Sequence, residues 1–129
     1  MKYPVEKSEE QWKAELGTER YRILRQKGTE MSHTGKYNLH FENGTYCCGA
    51  CGEPLFESDS KFESSCGWPS FDESIPGKVE YITDNSFGMK RTEILCANCG
   101  SHLGHVFYDG PTETGIRYCV NSASVDFKE

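Results

Sequence analysis

With 129 residues, the chain has the size of a single domain able to bury its own core. Its net charge of −6, from 20 acidic against 14 basic residues, lacks the basic excess of a nucleic-acid binder. Mean hydropathy is −0.68, no apolar run approaches the roughly 20 residues of a membrane span, and the opening MKYPVEKSEEQWK has no signal-peptide stretch; a soluble, cytoplasmic monomer without membrane or nucleic-acid partners is expected.

In chain order, Ser8 followed by Glu9, Glu10 and Gln11 fits a helix-starting capping box, and "SEEQWKAEL" sets Trp12 and Leu16 on one helical face. Gly17-Thr18 interrupts that helix, and "TERYRILRQKG" predicts a second short one ending at Gly28. From about Tyr37 onward, short β-type runs alternate with glycine. Asn43-Gly44 between "LHFE" and "TYCC" predicts a hairpin turn, and "KVEYITD", "MKRTEILC", "HLGHVFYDG" and "GIRYCVNSASVDF" predict four further strands. The expectation is one mainly β domain over 1–129: a helical prefix, 1–30, on a small antiparallel β core, 31–129.

Seven cysteines are many for this length, and without a secretory leader they point to metal or redox chemistry. Four form two CxxC knuckles, "CGAC" (Cys48, Cys51) and "CANC" (Cys96, Cys99), each followed by a glycine. Two matching knuckles can surround one Zn²⁺ tetrahedrally. Four protein ligands leave no open position, so the expected site is structural. Cys47, beside Cys48, could in principle replace it, but the x₂ spacing favours Cys48 and leaves Cys47 as a spare thiol.

Cys66 and Cys119 remain. Strand alternation through "IRYCVNSA" puts Ile116, Tyr118 and Val120 on one face and Arg117, Cys119 and Asn121 on the other, away from the core. A thiol beside a permanent cation favours the thiolate, against the alternative of an inert, partly buried cysteine. Cys66 lies in "ESSCGWPSF", where Gly67 and Pro69 exclude regular structure. Its neighbour Trp68 is equally readable as a cap over the core or as an apolar pocket wall beside a mobile thiol. In "HLGHVFYDG", a bulge at Gly104 would bring His102 and His105 to one side, as acid–base candidates near neutral pH. His33 and His40 are isolated and read as ordinary residues.

In this order the motifs "GTE…HTGKY", "CGAC", "SSCGWPSF", "CANCGSHLGHVFYDGP" and "RYCVNSAS" resemble the B-type peptide-methionine sulfoxide reductases over about three-quarters of the chain. The resemblance implies two antiparallel sheets, a structural zinc on Cys48, Cys51, Cys96 and Cys99, and reduction of the R epimer of methionine sulfoxide in oxidised proteins. It implies Cys119 as nucleophile, Cys66 as resolving cysteine and thioredoxin or a similar dithiol as reductant. It further implies His102, His105, Asp109, Arg117 and Asn121 as active-site polar residues. Trp68, with Phe107, would receive the substrate methyl. The competing reading is a zinc-ribbon-like, non-catalytic binding module, which accounts for four cysteines and leaves Cys66, Cys119 and the two histidines without a purpose. A thiol–disulfide oxidoreductase acting through a CxxC pair is a further rival.

Overall fold

The computed structural model describes residues 3–29, 35, 37, 40–62, 67–85, 88 and 90–128. Among the described residues one α-helix, α1 (Glu9–Leu24), precedes nine strands: β1 (Thr45–Cys48), β2 (Pro54–Glu57), β3 (Lys61–Phe62), β4 (Ser70–Phe71), β5 (Val79–Asp84), β6 (Arg91–Cys96), β7 (His102–Phe107), β8 (Arg117–Val120) and β9 (Val125–Lys128). They form two antiparallel sheets, ordered β2-β1-β9 and β3-β4-β8-β7-β6-β5. Fold class and prefix are as expected.

α1 starts on the expected capping box: Gln11 N donates to Ser8 Oγ at 3.2 Å, and Ser8 N donates to Gln11 Oε1 at 3.0 Å. Gly17 breaks it with φ 81°, ψ 166°, but helix resumes at once and ends at Leu24, earlier than the Gly28 expected. Trp12 is fully buried, between the Arg25 guanidinium 4.6 Å and the Lys7 ammonium 5.0 Å from its ring.

Two strand expectations are corrected. Residues 40–42 are not strand, so Asn43-Gly44 turns no hairpin there. Thr45–Cys48 instead lies between β2 and β9, and a Cβ on Gly44 would collide with the Lys128 carbonyl and the Phe127 ring, so this glycine allows close approach of β9. "GIRYCVNSASVDF" is two strands in different sheets. After Val120 the chain turns through the 3₁₀ segment Ser122–Ser124, and β9 leaves for the smaller sheet.

The sheets meet over an aromatic core. Phe56 of β2 stacks on Phe71 of β4 with centroids 4.4 Å apart, and Tyr46 of β1 meets Phe71 edge-on at 5.1 Å. Such pairs are each worth about 1 kcal/mol beyond their buried area. Ile94, Val106, Tyr118 and Val120 supply the large sheet's apolar face. Its other face is left for polar groups.

β6 and β7 shift register between Ile94 and Leu95, which face Gly104 and His102. This is the bulge expected at Gly104. On its other side Gly104 opposes Val120 of β8, so closely that a Cβ would run into the Cys119 carbonyl oxygen and stand 3.1 Å from Val120 Cα. Gly104→Ala should therefore destabilise the fold by about 1–3 kcal/mol, read as a lower urea midpoint. An unchanged midpoint would show that β7 and β8 can part without penalty.

Candidate active site and metal centre

The two knuckles are the same turn built twice. Gly52 N donates to Cys48 O at 2.8 Å and Cys48 N to Glu53 O at 2.8 Å. In the second, Gly100 N donates to Cys96 O at 2.7 Å and Cys96 N to Ser101 O at 2.9 Å. Each trailing glycine sits at positive φ, 83° and 77°, which explains its place after each CxxC. The first knuckle joins β1 to β2 and the second joins β6 to β7, so the turns belong to different sheets.

All four sulfurs lie within 4.8 Å of one another, with Cys48–Cys99 and Cys51–Cys96 each at 3.7 Å. Sulfurs about 2.3 Å from a tetrahedral ion stand roughly 3.8 Å apart, so the cluster has the size of a four-thiolate metal site. Hydrogen bonding with Cys51, Cys96 and Cys99, reinforced by burial, pushes the Cys48 thiol far up. A cation is what such a set releases its protons to. Cys47, buried with its thiol raised by burial, stands outside the cluster.

Polar groups converge on the opposite face of the large sheet. In the strand registers Ser70, Cys119, His105 and Glu93 form one row across β4, β8, β7 and β6. Directly opposed residues share a face, so His105 is the cross-strand neighbour of Cys119. The β7 bulge brings His102 beside it, with ring centroids 5.7 Å apart. A cleft of about 240 Å³ lies here, lined by Cys119, His102, His105, Asn121, Arg117, Trp68 and Phe107 among others. Asn121 is buried, and its Nδ2 donates to Leu103 O at 3.4 Å.

Asp109 is not in the cleft wall. It forks onto Arg117, whose Nε and Nη2 donate to its two oxygens at 2.9 and 3.2 Å. That bond, ahead of burial, holds the Asp109 carboxyl below its usual value. The same guanidinium lies 4.5 Å over the Phe107 ring. Seven of the sequence-predicted residues thus share the cleft, and Asp109 is bonded to one of them. Cys66 lies outside the described residues. His40 is structural, hydrogen-bonded to the Tyr46 hydroxyl at 2.8 Å and packed on Phe127; His33 also lies outside the described residues.

Five further residues complete the site. Asp84 Oδ2 accepts from His105 Nε2 at 2.8 Å and from Arg91 Nη2 at 3.3 Å. Glu93 Oε2 accepts from His102 Nδ1 at 2.7 Å, and Glu93 Oε1 accepts from Lys27 Nζ at 3.1 Å. Thr29 lines the cleft, so the segment after α1 reaches the site. The available signal was a glutamate in the middle of "RTEILC", where an apolar strand admits a charge only if it has a partner. Cys119, His105 and Asp84 thus stand in the order thiol, imidazole and carboxylate, His105 opposite Cys119 in the register and bonded to Asp84.

A mainly β fold with a closed four-cysteine cluster on one side and a thiol among imidazoles on the other defines a thiol-dependent enzyme carrying a separate metal site. The chain belongs to the SelR domain family, whose domain matches residues 16–129. Proteins named peptide methionine sulfoxide reductase MsrB are 58% identical over 130 residues in Leptospira interrogans and 56% over 135 in Variovorax paradoxus, each alignment covering all of this chain and 99% of the relative. One from Methanosarcina mazei is 56% identical over 124 residues, covering 95% of this chain and 89% of the relative. The family read from the motifs is borne out, and the matched domain begins inside α1.

Burial pushes the His105 imidazole below its usual value. The Asp84 hydrogen bond opposes this, and the positive charges of Arg91 and His102 add to it. In an NMR titration His105 should therefore show a midpoint below about 6.5. Asp84→Asn should lower it further and Arg91→Met should raise it. A wild-type midpoint above about 6.5 would mean that burial does not govern this ring.

Proposed function

We propose that this protein reduces methionine sulfoxide in oxidised proteins, acting on the R epimer, with Cys119 as nucleophile. The observation that carries this reading is the one cleft holding Cys119, His102, His105, Asn121 and Trp68 on the polar face of the large sheet. The names of the relatives support the substrate class. A sulfoxide sulfur accepts a nucleophile only if its oxygen leaves with protons, so a thiolate and proton donors must flank the same S–O bond.

The Cys119 thiolate attacks the sulfoxide sulfur while His105, with His102 and Asn121, directs protons to the oxygen. A Cys119 Sγ–S bond forms as the S–O bond breaks, and the doubly protonated oxygen leaves as water. Water then attacks Cys119 Sγ, the S–S bond breaks with its electron pair going to methionine, and Cys119 is left as a sulfenic acid. The Cys66 thiol condenses with it, releasing water and forming a Cys119–Cys66 disulfide. An external dithiol such as thioredoxin reduces that disulfide, becomes a disulfide itself and returns both thiols. Arg117 favours the thiolate and Asp109 fixes Arg117. Trp68 and Phe107 hold the methyl group and so choose the epimer.

Cys48, Cys51, Cys96 and Cys99 would hold Zn²⁺. Their soft donor set and sulfur spacing fit it, and a closed four-ligand site supplies stability rather than chemistry. The ion would clip a hairpin of one sheet to a hairpin of the other.

Two tests follow. With an R-sulfoxide peptide and a dithiol, Cys119→Ser should lose activity by about 1,000-fold or more. Cys66→Ser should lose turnover with thioredoxin yet release one methionine per enzyme. Full activity in Cys119→Ser would sink the assignment. For the metal, elemental analysis should find one zinc per folded chain, and chelation under reducing conditions should unfold the protein rather than merely inhibit it. A metal-free chain of unchanged melting temperature would exclude the structural zinc.

A further inference from the structure

Glu93 is a carboxylate in a strand interior. Its side chain is 4% exposed, and its neighbour Ile94 is fully buried. A carboxylate in such a place persists only if it is paired and hydrogen-bonded. One oxygen accepts from Nδ1 of His102, which lines the cleft, and the other from Nζ of Lys27, two residues before the cleft-lining Thr29. Burial pushes the Glu93 carboxyl up, but these bonds outweigh it and leave the group below its usual value, hence ionised.

Lys27 supplies a second, independent observation. Among the described residues it is the one non-glycine with positive φ, at 58°. It occupies the left-handed position after α1, where Gly28 N closes back onto Arg22 O at 2.9 Å. Glycine takes that position freely and lysine does so under strain. A strained residue whose side chain reaches a buried active-site carboxylate suggests that the side chain is needed there.

We infer, on the reading that this cleft reduces a sulfoxide, that Glu93, clamped by Lys27, is a positioning residue that fixes the His102 proton on Nδ1 and reserves Nε2 for proton exchange with the substrate oxygen. An ionised carboxylate only accepts hydrogen bonds, so the ring nitrogen facing it carries hydrogen in both charge states of the imidazole. Nε2 is then the nitrogen that gains and loses a proton. Lys27 occupies the second carboxylate oxygen, which keeps the group charged and prevents it from turning away from His102. The segment after α1 is thereby part of the active site.

Glu93→Gln keeps the shape but offers an amide that bonds either tautomer, and Lys27→Gly relieves the backbone while removing the clamp. Ring ¹⁵N–¹H spectra of the wild type should show His102 as the Nδ1–H tautomer, and Glu93→Gln should mix the two. Methionine formed in a single turnover from an R-sulfoxide peptide, without reductant, should slow about 10–100-fold in Glu93→Gln with apparent substrate affinity little changed. Lys27→Gly should slow it less and keep the wild-type melting temperature. A Nε2–H tautomer in the wild type, an unmixed Nδ1–H spectrum in Glu93→Gln, or a rate loss in Glu93→Gln matched by lost affinity would overturn the inference, as would wild-type rates in both variants. If the wild-type enzyme itself leaves the sulfoxide untouched, the activity reading fails, while the His102 spectra still decide the role of Glu93.

Discussion

The cleft depends on how closely two strands approach at Gly104. There β7 is bulged against β6, and its backbone lies so near β8 that any side chain would meet the Cys119 carbonyl. The bulge offsets the period-two alternation that would send His102 and His105 to opposite faces, and the close approach seats Cys119 directly across from His105. One residue without a side chain thus lets two imidazoles and a thiol share a face. A substitution here would act on stability and on site geometry together.

The four-cysteine cluster addresses a different difficulty. β1 and β2 belong to the three-stranded sheet and β6 and β7 to the six-stranded one, and the knuckles that close these hairpins hold the four sulfurs. Fixing the second knuckle fixes the spacing between Glu93, on the strand entering it, and His102, on the strand leaving it. The prefix grips the same knuckle: Arg25 Nη1 donates to Cys99 O at 2.8 Å, and Val5 N donates to Asn98 O at 2.8 Å. Two residues beyond Arg25, Lys27 meets Glu93. Metal centre and cleft are separate in chemistry and mechanically continuous.

What was legible in the sequence follows from the range of each signal. The CxxC spacing, the alternation around Cys119 and the bulge at Gly104 are local patterns, and each sits where its residues pointed. Partner choice is not local. "TYCC" reads as a strand correctly, yet the pairing with "PLFE" and "VDFK" rather than "LHFE" depends on the metal knuckle serving as the turn and on β9 returning from far along the chain. Asp84, Glu93 and Arg91 escaped notice for the same reason. Acidic and basic residues in strands resemble a solvated face until the sheet sets them against histidines. Lys27 was further hidden, because a charged residue after a helix ordinarily reads as surface.

The charges of the cleft suggest why this arrangement suits its substrate class. Three carboxylate–cation pairs surround it: Asp109 with Arg117, Asp84 with Arg91 and Glu93 with Lys27. Exposed pairs contribute little stability, but each of these fixes a group that lines the cleft. Two hold imidazoles through their carboxylates, and the third holds a guanidinium over the Phe107 ring. With these formal charges set against one another, the groups left along the cleft are the Cys119 sulfur, two imidazoles, an amide and an indole. A sulfoxide is uncharged and strongly dipolar. It is better received by oriented hydrogen-bond donors and an apolar wall than by an unpaired surface ion that would draw water, or a charged competitor, into the cleft.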